Sequence, residues 1–189
     1  LIESAEPLEA IINGMKENYK AKHDKMMLQK LGLIDDGSFD GNNILDFEHL
    51  LHKCEMDMTL LFRNLSNYDG QNIDTFLALL PTYSYASDFS LFQNEWVDWL
   101  QNYGRILLQQ KNVNRKNQMN AVNPKYVLRN YMAQMAIDAA EKEDYTIIDE
   151  LYHLLLSPYE EQTEKENWFV KRPEWANHKI GCSMLSCSS

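Results

Sequence analysis

Apolar residues recur along most of this chain at alternating three- and four-residue steps, the spacing that lines one face of an α-helix. The clearest run is Ile44, Phe47, Leu51, Cys54, Met58, Leu61 and Leu65, one unbroken stripe that predicts a single long helix with a buried face. The same spacing returns in Phe89, Phe92, Trp96, Trp99, Tyr103 and Ile106, and the two stripes are expected to form much of the core. Ahead of them, residues 7–31 predict a first helix, with Leu8, Ile12, Met15 and Tyr19 on one face and Gly32 as its C-terminal cap. A short helical turn over 73–80 should stop at Pro81. Asn123-Pro124 predicts another start, because the Asn side chain can accept from an orphan N–H and a proline at the first position gives up no needed donor. That helix should run over 124–142, with Leu128, Tyr131, Met132, Met135 and Ala139 inward. Asp144 should cap the next one, with Ile148, Leu151 and Leu155 inside and Pro158 beyond its end.

After Tyr159 the periodicity stops. Trp168, Pro173 and Trp175 stand in a polar stretch that reads as a tail laid over the helices and anchored by its two tryptophans. The expected fold class is all-α: an irregular multi-helix domain over 1–158 with an extended C-terminal tail over 159–189 packed on it.

Charge and composition narrow the function classes. Asp plus Glu number 28 against 18 Lys plus Arg, a net charge of −10, which repels phosphate backbones and anionic lipid. Neither nucleic acid nor a membrane surface is therefore an expected partner, and no apolar run approaches the roughly 18 to 20 residues of a spanning helix. Residues 1–7 lack the basic and apolar regions of a signal peptide, and a first residue Leu1 in place of Met reads as a piece cut from a longer protein. Three cysteines, Cys54, Cys182 and Cys187, are too few for the disulfide framework of a small secreted domain, so a reducing compartment is expected.

Candidate chemistry is sparse. Asp36-Gly37-Ser38-Phe39-Asp40-Gly41 imitates the start of a calcium loop, but its twelfth position is Phe47, with Glu48 one residue late, so a polar interhelical turn is the reading. Glu48, His49, His52 and Cys54 crowd one helix without converging, because Cys54 belongs to the apolar stripe and the histidines flank it. No Gly-rich phosphate loop and no nucleophile elbow occurs, so no metal, nucleotide or catalytic residue is assigned on this chain. Cys182 and Cys187 sit near the end, where exposure and reach would permit disulfide exchange that a core cysteine could not undergo. Composition alone favours two incidental thiols there.

One long motif changes that balance. Gln118-Met119-Asn120-Ala121-Val122-Asn123-Pro124-Lys125-Tyr126-Val127-Leu128-Arg129-Asn130-Tyr131, followed by Ala136-Ile137-Asp138-Ala139-Ala140-Glu141, closely resembles the C-terminal part of the selenoprotein O family. So do Ser157-Pro158-Tyr159, Arg172-Pro173-Glu174-Trp175 and Ser186-Cys187-Ser188-Ser189, with weaker matches around Lys30-Leu31-Gly32-Leu33 and Phe62-Arg63-Asn64-Leu65. Members of this family look like kinases in fold and transfer AMP from ATP to protein hydroxyls with a divalent metal. Their nucleotide- and metal-binding residues belong to a preceding kinase-like region. The resemblance therefore implies a non-catalytic C-terminal helical domain, with ATP and Mg (or Mn) serving the intact protein and no cofactor on this segment. Its expected partners are the upstream kinase-like domain and the protein substrates. The resemblance implies a redox role for Cys187, which matches the selenocysteine site of animal members, whereas Cys182 departs from the closer Cys-x-x-Sec spacing of some members. A cytoplasmic location is expected for a bacterial protein, a mitochondrial one for a eukaryotic protein. Two rival readings remain at this point: a helical module that recruits substrates, and a thiol oxidoreductase.

Overall fold

The computed structural model describes residues 4–179. The fold is all-α. Nine α-helices follow one another among the described residues: α1 (Glu6–Leu31), α2 (Gly41–Lys53), α3 (Met58–Leu65), α4 (Ile73–Leu77), α5 (Leu80–Tyr83), α6 (Gln93–Gln110), α7 (Arg115–Val122), α8 (Asn130–Ala140) and α9 (Thr146–Leu156). Three short 3-10 turns join them, Phe89–Phe92 leading into α6, and Thr163–Trp168 and Glu174–Asn177 after α9.

α1 ends where expected. Gly32 takes a left-handed φ of +67°, and its N–H turns back onto the carbonyls of the last turn. The loop over 36–40 is the polar turn its composition suggests: Asp36 accepts from the Ser38 N–H, and Asp40 forms a capping box with Asn43 at the head of α2.

The long stripe that begins at Ile44 is not one helix. α2 stops at Lys53, Glu55 adopts a φ of +47°, Met56 makes an isolated antiparallel bridge to Ser84, and Asp57 caps α3 by accepting from the Leu60 N–H at 3.1 Å. The kink leaves Leu61 and Leu65 fully buried beside Phe47 but turns Met58 out to solvent, so the spacing survives while the helix does not. Pro81 likewise does not end a helix. It sits in the first turn of α5, where proline loses no needed donor.

The Asn123-Pro124 start is also corrected. Asn123 terminates α7, extended as a residue before proline prefers, and the chain stays irregular until α8 begins at Asn130. Its side chain does not cap a following helix, because it is held across the molecule: Nδ2 donates to the Lys30 carbonyl at 2.8 Å and Oδ1 accepts from Lys30 Nζ. Leu128, expected inside, is half exposed. Asp144 does serve the start of α9, accepting from both the N–H and the hydroxyl of Thr146, but Ile148 remains partly in solvent.

Two apolar cores result. The larger gathers α1's C-terminal end with α2 to α7 around Phe47, Leu61, Leu65, Trp96, Leu100, Tyr103 and Ile106. Within it, the Phe47, Trp99 and Tyr103 rings stack in series at 4.4 and 4.8 Å. The smaller packs Tyr126, Tyr131, Met132, Ala136, Leu151 and Leu154 with Trp168 from the segment after α9. Phe169 touches both cores. Trp168 is thus the buried tryptophan of that segment; Trp175 is only partly covered, its ring edge-on to Tyr131.

Candidate functional site

The most charged part of the interior is the seam between the two cores. From α3, Arg63 Nη1 donates to the Asn120 and Asn123 carbonyls, both at 3.1 Å, and Nη2 donates to the Tyr159 carbonyl at 2.9 Å and to Glu161 at 2.8 Å. Lys125 reaches Glu161 at 2.5 Å and also pairs with Glu166. Burial opposes the Lys125 charge, but the hydrogen bonds to these two carboxylates outweigh it and raise its pKa. Arg129 makes a two-pronged contact with Asp57, whose Oδ2 also accepts from the Tyr85 hydroxyl at 2.9 Å. Tyr85 in turn accepts from the Arg172 N–H, and Lys171 donates to the Ser84 carbonyl at 2.6 Å.

A further buried cation lies under the larger core. Arg115 donates to Tyr103 Oη at 3.0 Å, to the Ser66 carbonyl at 3.2 Å and to the Tyr68 carbonyl. Burial pushes the Tyr103 hydroxyl far above its ordinary range, so it serves as a neutral acceptor. Arg63, Arg115, Lys125 and Arg129 are thereby committed to carbonyls and carboxylates of the fold, leaving none of them turned toward a phosphate. Sequence reasoning missed this seam; the available signal was a basic residue, Arg63, set inside the apolar run from Leu60 to Leu65.

Cys182 and Cys187 lie outside the described residues. Cys54 is fully buried, and its sulfur accepts from Trp96 Nε1 at 3.3 Å. Burial pushes its thiol pKa up, which makes it a poor nucleophile. His49 and His52 point to solvent beside it, and among the described residues no three His, Cys, Asp or Glu side chains stand close enough to hold a metal ion.

Two apolar surfaces are left open instead. Between α8 and α9 runs a groove of about 660 Å³ with Ala133, Ala136 and Ala140 on one side and Ile148, Leu151 and Leu155 on the other; Glu141 is the charged residue on its lining. The second is the face of α1 that carries Leu8, Ile12, Met15 and Tyr19, all exposed where the stripe predicted contact.

Together these features define a helical segment with buried charges that stitch its own halves together and two exposed apolar faces. The family model for protein adenylyltransferase SelO matches residues 1–156, and the chain belongs to that family. It is 42 % identical over 196 residues to the protein nucleotidyltransferase YdiU of Flavobacterium johnsoniae, covering 100 % of this chain and 37 % of that protein. The YdiU protein of Rhodopirellula baltica is 40 % identical over 205 residues, with 100 % and 38 % covered, and that of Tolumonas auensis 43 % over 179 residues, with 92 % and 34 % covered. The chain therefore spans little more than a third of the length of these relatives. Among the described residues, no helix is long and apolar enough to cross a membrane.

Proposed function

We propose that this segment is the non-catalytic C-terminal helical part of a protein adenylyltransferase, one that supports a kinase-like domain which itself binds ATP and Mg (or Mn) and moves AMP to protein hydroxyls. The observation that carries the reading is the commitment of every buried cation to the fold, in a chain a third as long as relatives that are named nucleotidyltransferases. Phosphoryl chemistry needs cations and metal ligands aimed at the nucleotide, and these belong to the remainder of the protein. The partners are that kinase-like domain and the protein substrates, in the cytoplasm of a bacterium. Cys187 is assigned the role of a redox latch: its thiol and a cysteine of the kinase-like domain would lose two protons and two electrons to a disulfide oxidant and form one S–S bond.

The groove between α8 and α9 favours a second reading, in which the segment recruits substrates. Deleting the segment from the intact protein separates the two. Loss of self-adenylylation, followed with labelled ATP, supports the scaffold; loss confined to one substrate supports recruitment; unchanged transfer to all acceptors overturns both.

A further inference from the structure

We propose that the first half of α1 is a docking strut, its apolar stripe seated on the kinase-like part of the same protein; the inference rests on the scaffold reading above and names the surface through which it acts. α1 is 26 residues long, but only its last turns enter the core through Met27, Leu28 and Leu31. Residues 6–22 are exposed throughout except for a half-buried Gly14, and a Cβ built on Gly14 would meet nothing within 4 Å. About 20 Å of helix, residues 6–18, therefore stands clear of its own domain, before Tyr19 and Lys20 come up against Gly41 and Ile44 of α2. Along it, Ile11, Ile12, Met15 and Tyr19 are 59 %, 52 %, 66 % and 71 % exposed, while Asn13 and Glu17 occupy the opposite side. An amphipathic helix derives most of its stability from packing its apolar face, and an unsupported stretch of this length is marginal in water.

Size and tethering select the occupant. The stripe offers on the order of 500 Å², the scale of a single patch and well short of the roughly 800 Å² per partner in a standard interface between separate molecules. The charges over residues 6–22 balance, Glu6, Glu9 and Glu17 against Lys16, Lys20 and Lys22, so they do not draw in a second copy. Within one chain the contact needs no such area, because tethering supplies a high effective concentration. Relatives carry nearly two thirds of their length outside the region matched by this segment, which is ample chain to provide the seat.

The test uses the intact protein carrying Ile12→Cys, Met15→Cys or Glu17→Cys, labelled with a maleimide and read site by site by peptide mass mapping. Positions 12 and 15 are expected to label at least about tenfold more slowly than position 17, as a seated stripe requires. Equal rates at all three positions overturn the proposal. So does slow labelling that becomes fast on dilution as the Stokes radius falls, which would assign the stripe to a second copy. Because labelling reads burial and not AMP transfer, the two readings fail separately. Equal labelling with transfer lost on deletion sinks the strut and keeps the scaffold; slow labelling with transfer intact does the reverse.

Discussion

Arg129 holds Asp57 across the seam between the two cores, Nη2 donating to Oδ1 at 2.9 Å while Nη1 meets Oδ2. The same carboxylate caps α3 and accepts from Tyr85, so one side chain fixes a helix start, a counter-ion and the path of the chain at 85. Asp57→Ala leaves a mostly buried guanidinium unpaired and is expected to cost about 3 to 5 kcal/mol. Asp57→Asn keeps an acceptor for the cap and should cost less. Denaturant titration followed by circular dichroism orders the two; equal costs would show that the cap contributes nothing and that the lost charge accounts for the whole effect.

Arg63 tests the seam from the other side. Its planar fork satisfies three backbone carbonyls and Glu161 at once, which a lysine ammonium on a flexible stem cannot reproduce. Arg63→Lys is expected to lose about 2 to 4 kcal/mol, close to the loss in Arg63→Ala. A lysine variant within a few tenths of a kcal/mol of the parent would show that charge, not geometry, matters there.

What could be read from sequence follows the range of the interaction. Burial of Phe47, Leu61, Trp96 and Tyr103 was legible because a repeating face is a local property, and so was Gly32, whose left-handed turn depends on its own backbone. The break at 54–57 was hidden because the kink keeps Leu61 and Leu65 on the buried side; the one local cue was Asp57, an acidic residue just ahead of an apolar run. Asn123 misled because its partner is Lys30, 93 residues away. α7 escaped because only Arg115 and Met119 turn inward on a polar helix. Of the candidate chemistry, Cys54 was correctly read as a core residue. The seam was not read at all, since Lys125 and Arg129 resemble solvated charges until the fold brings Glu161 and Asp57 to them.

Two glycines should respond to alanine in opposite ways. A Cβ on Gly104 would lie 2.8 Å from the Gly70 carbonyl oxygen and 2.9 Å from Tyr68 Oη, with the facing Gly70 backbone held at a φ of +86°. Gly104→Ala is therefore expected to destabilise by about 1 to 3 kcal/mol. Gly14→Ala meets open space in a helix interior and should favour the helix by up to about 1 kcal/mol, visible as added helix signal. A neutral Gly104→Ala would mean that α6 and the Gly70 turn can separate without loss.

Acid should weaken the fold through its paired carboxylates. The hydrogen bond from Lys125 chiefly, with that from Arg63, holds Glu161 below its ordinary value of 4.5; Lys165 does the same for Glu150. A depressed folded-state pKa gives stability that is complete above the unfolded value and is lost as pH falls through the folded one. Tm should hold from pH 7 to about 5 and drop below about 4.5. Glu161→Gln should start from a lower Tm at pH 7 and show a shallower decline. Parallel curves for the two proteins would remove Glu161 from the acid response.

The last expectation separates the cysteines. Cys54 is fully buried, its sulfur is engaged by Trp96, and burial raises its pKa, so in native buffer it can react only when the larger core opens. Cys187 stands in a polar stretch of sequence, and its redox role is the one proposed above. Iodoacetamide should modify Cys187 at least about tenfold faster than Cys54, and the difference should vanish in denaturant. In the intact protein, oxidation should join Cys187 to a cysteine of the kinase-like domain, closing a long loop that restrains the unfolded chain by roughly 2 to 4 kcal/mol where geometry permits. The rate of AMP transfer should change with that bond, and Cys187→Ser should abolish the change while leaving the reduced rate intact. Mass mapping of the oxidised protein decides the matter: a free Cys187, with the serine variant responding to oxidant as the parent does, would remove the latch and leave the helical scaffold standing without it.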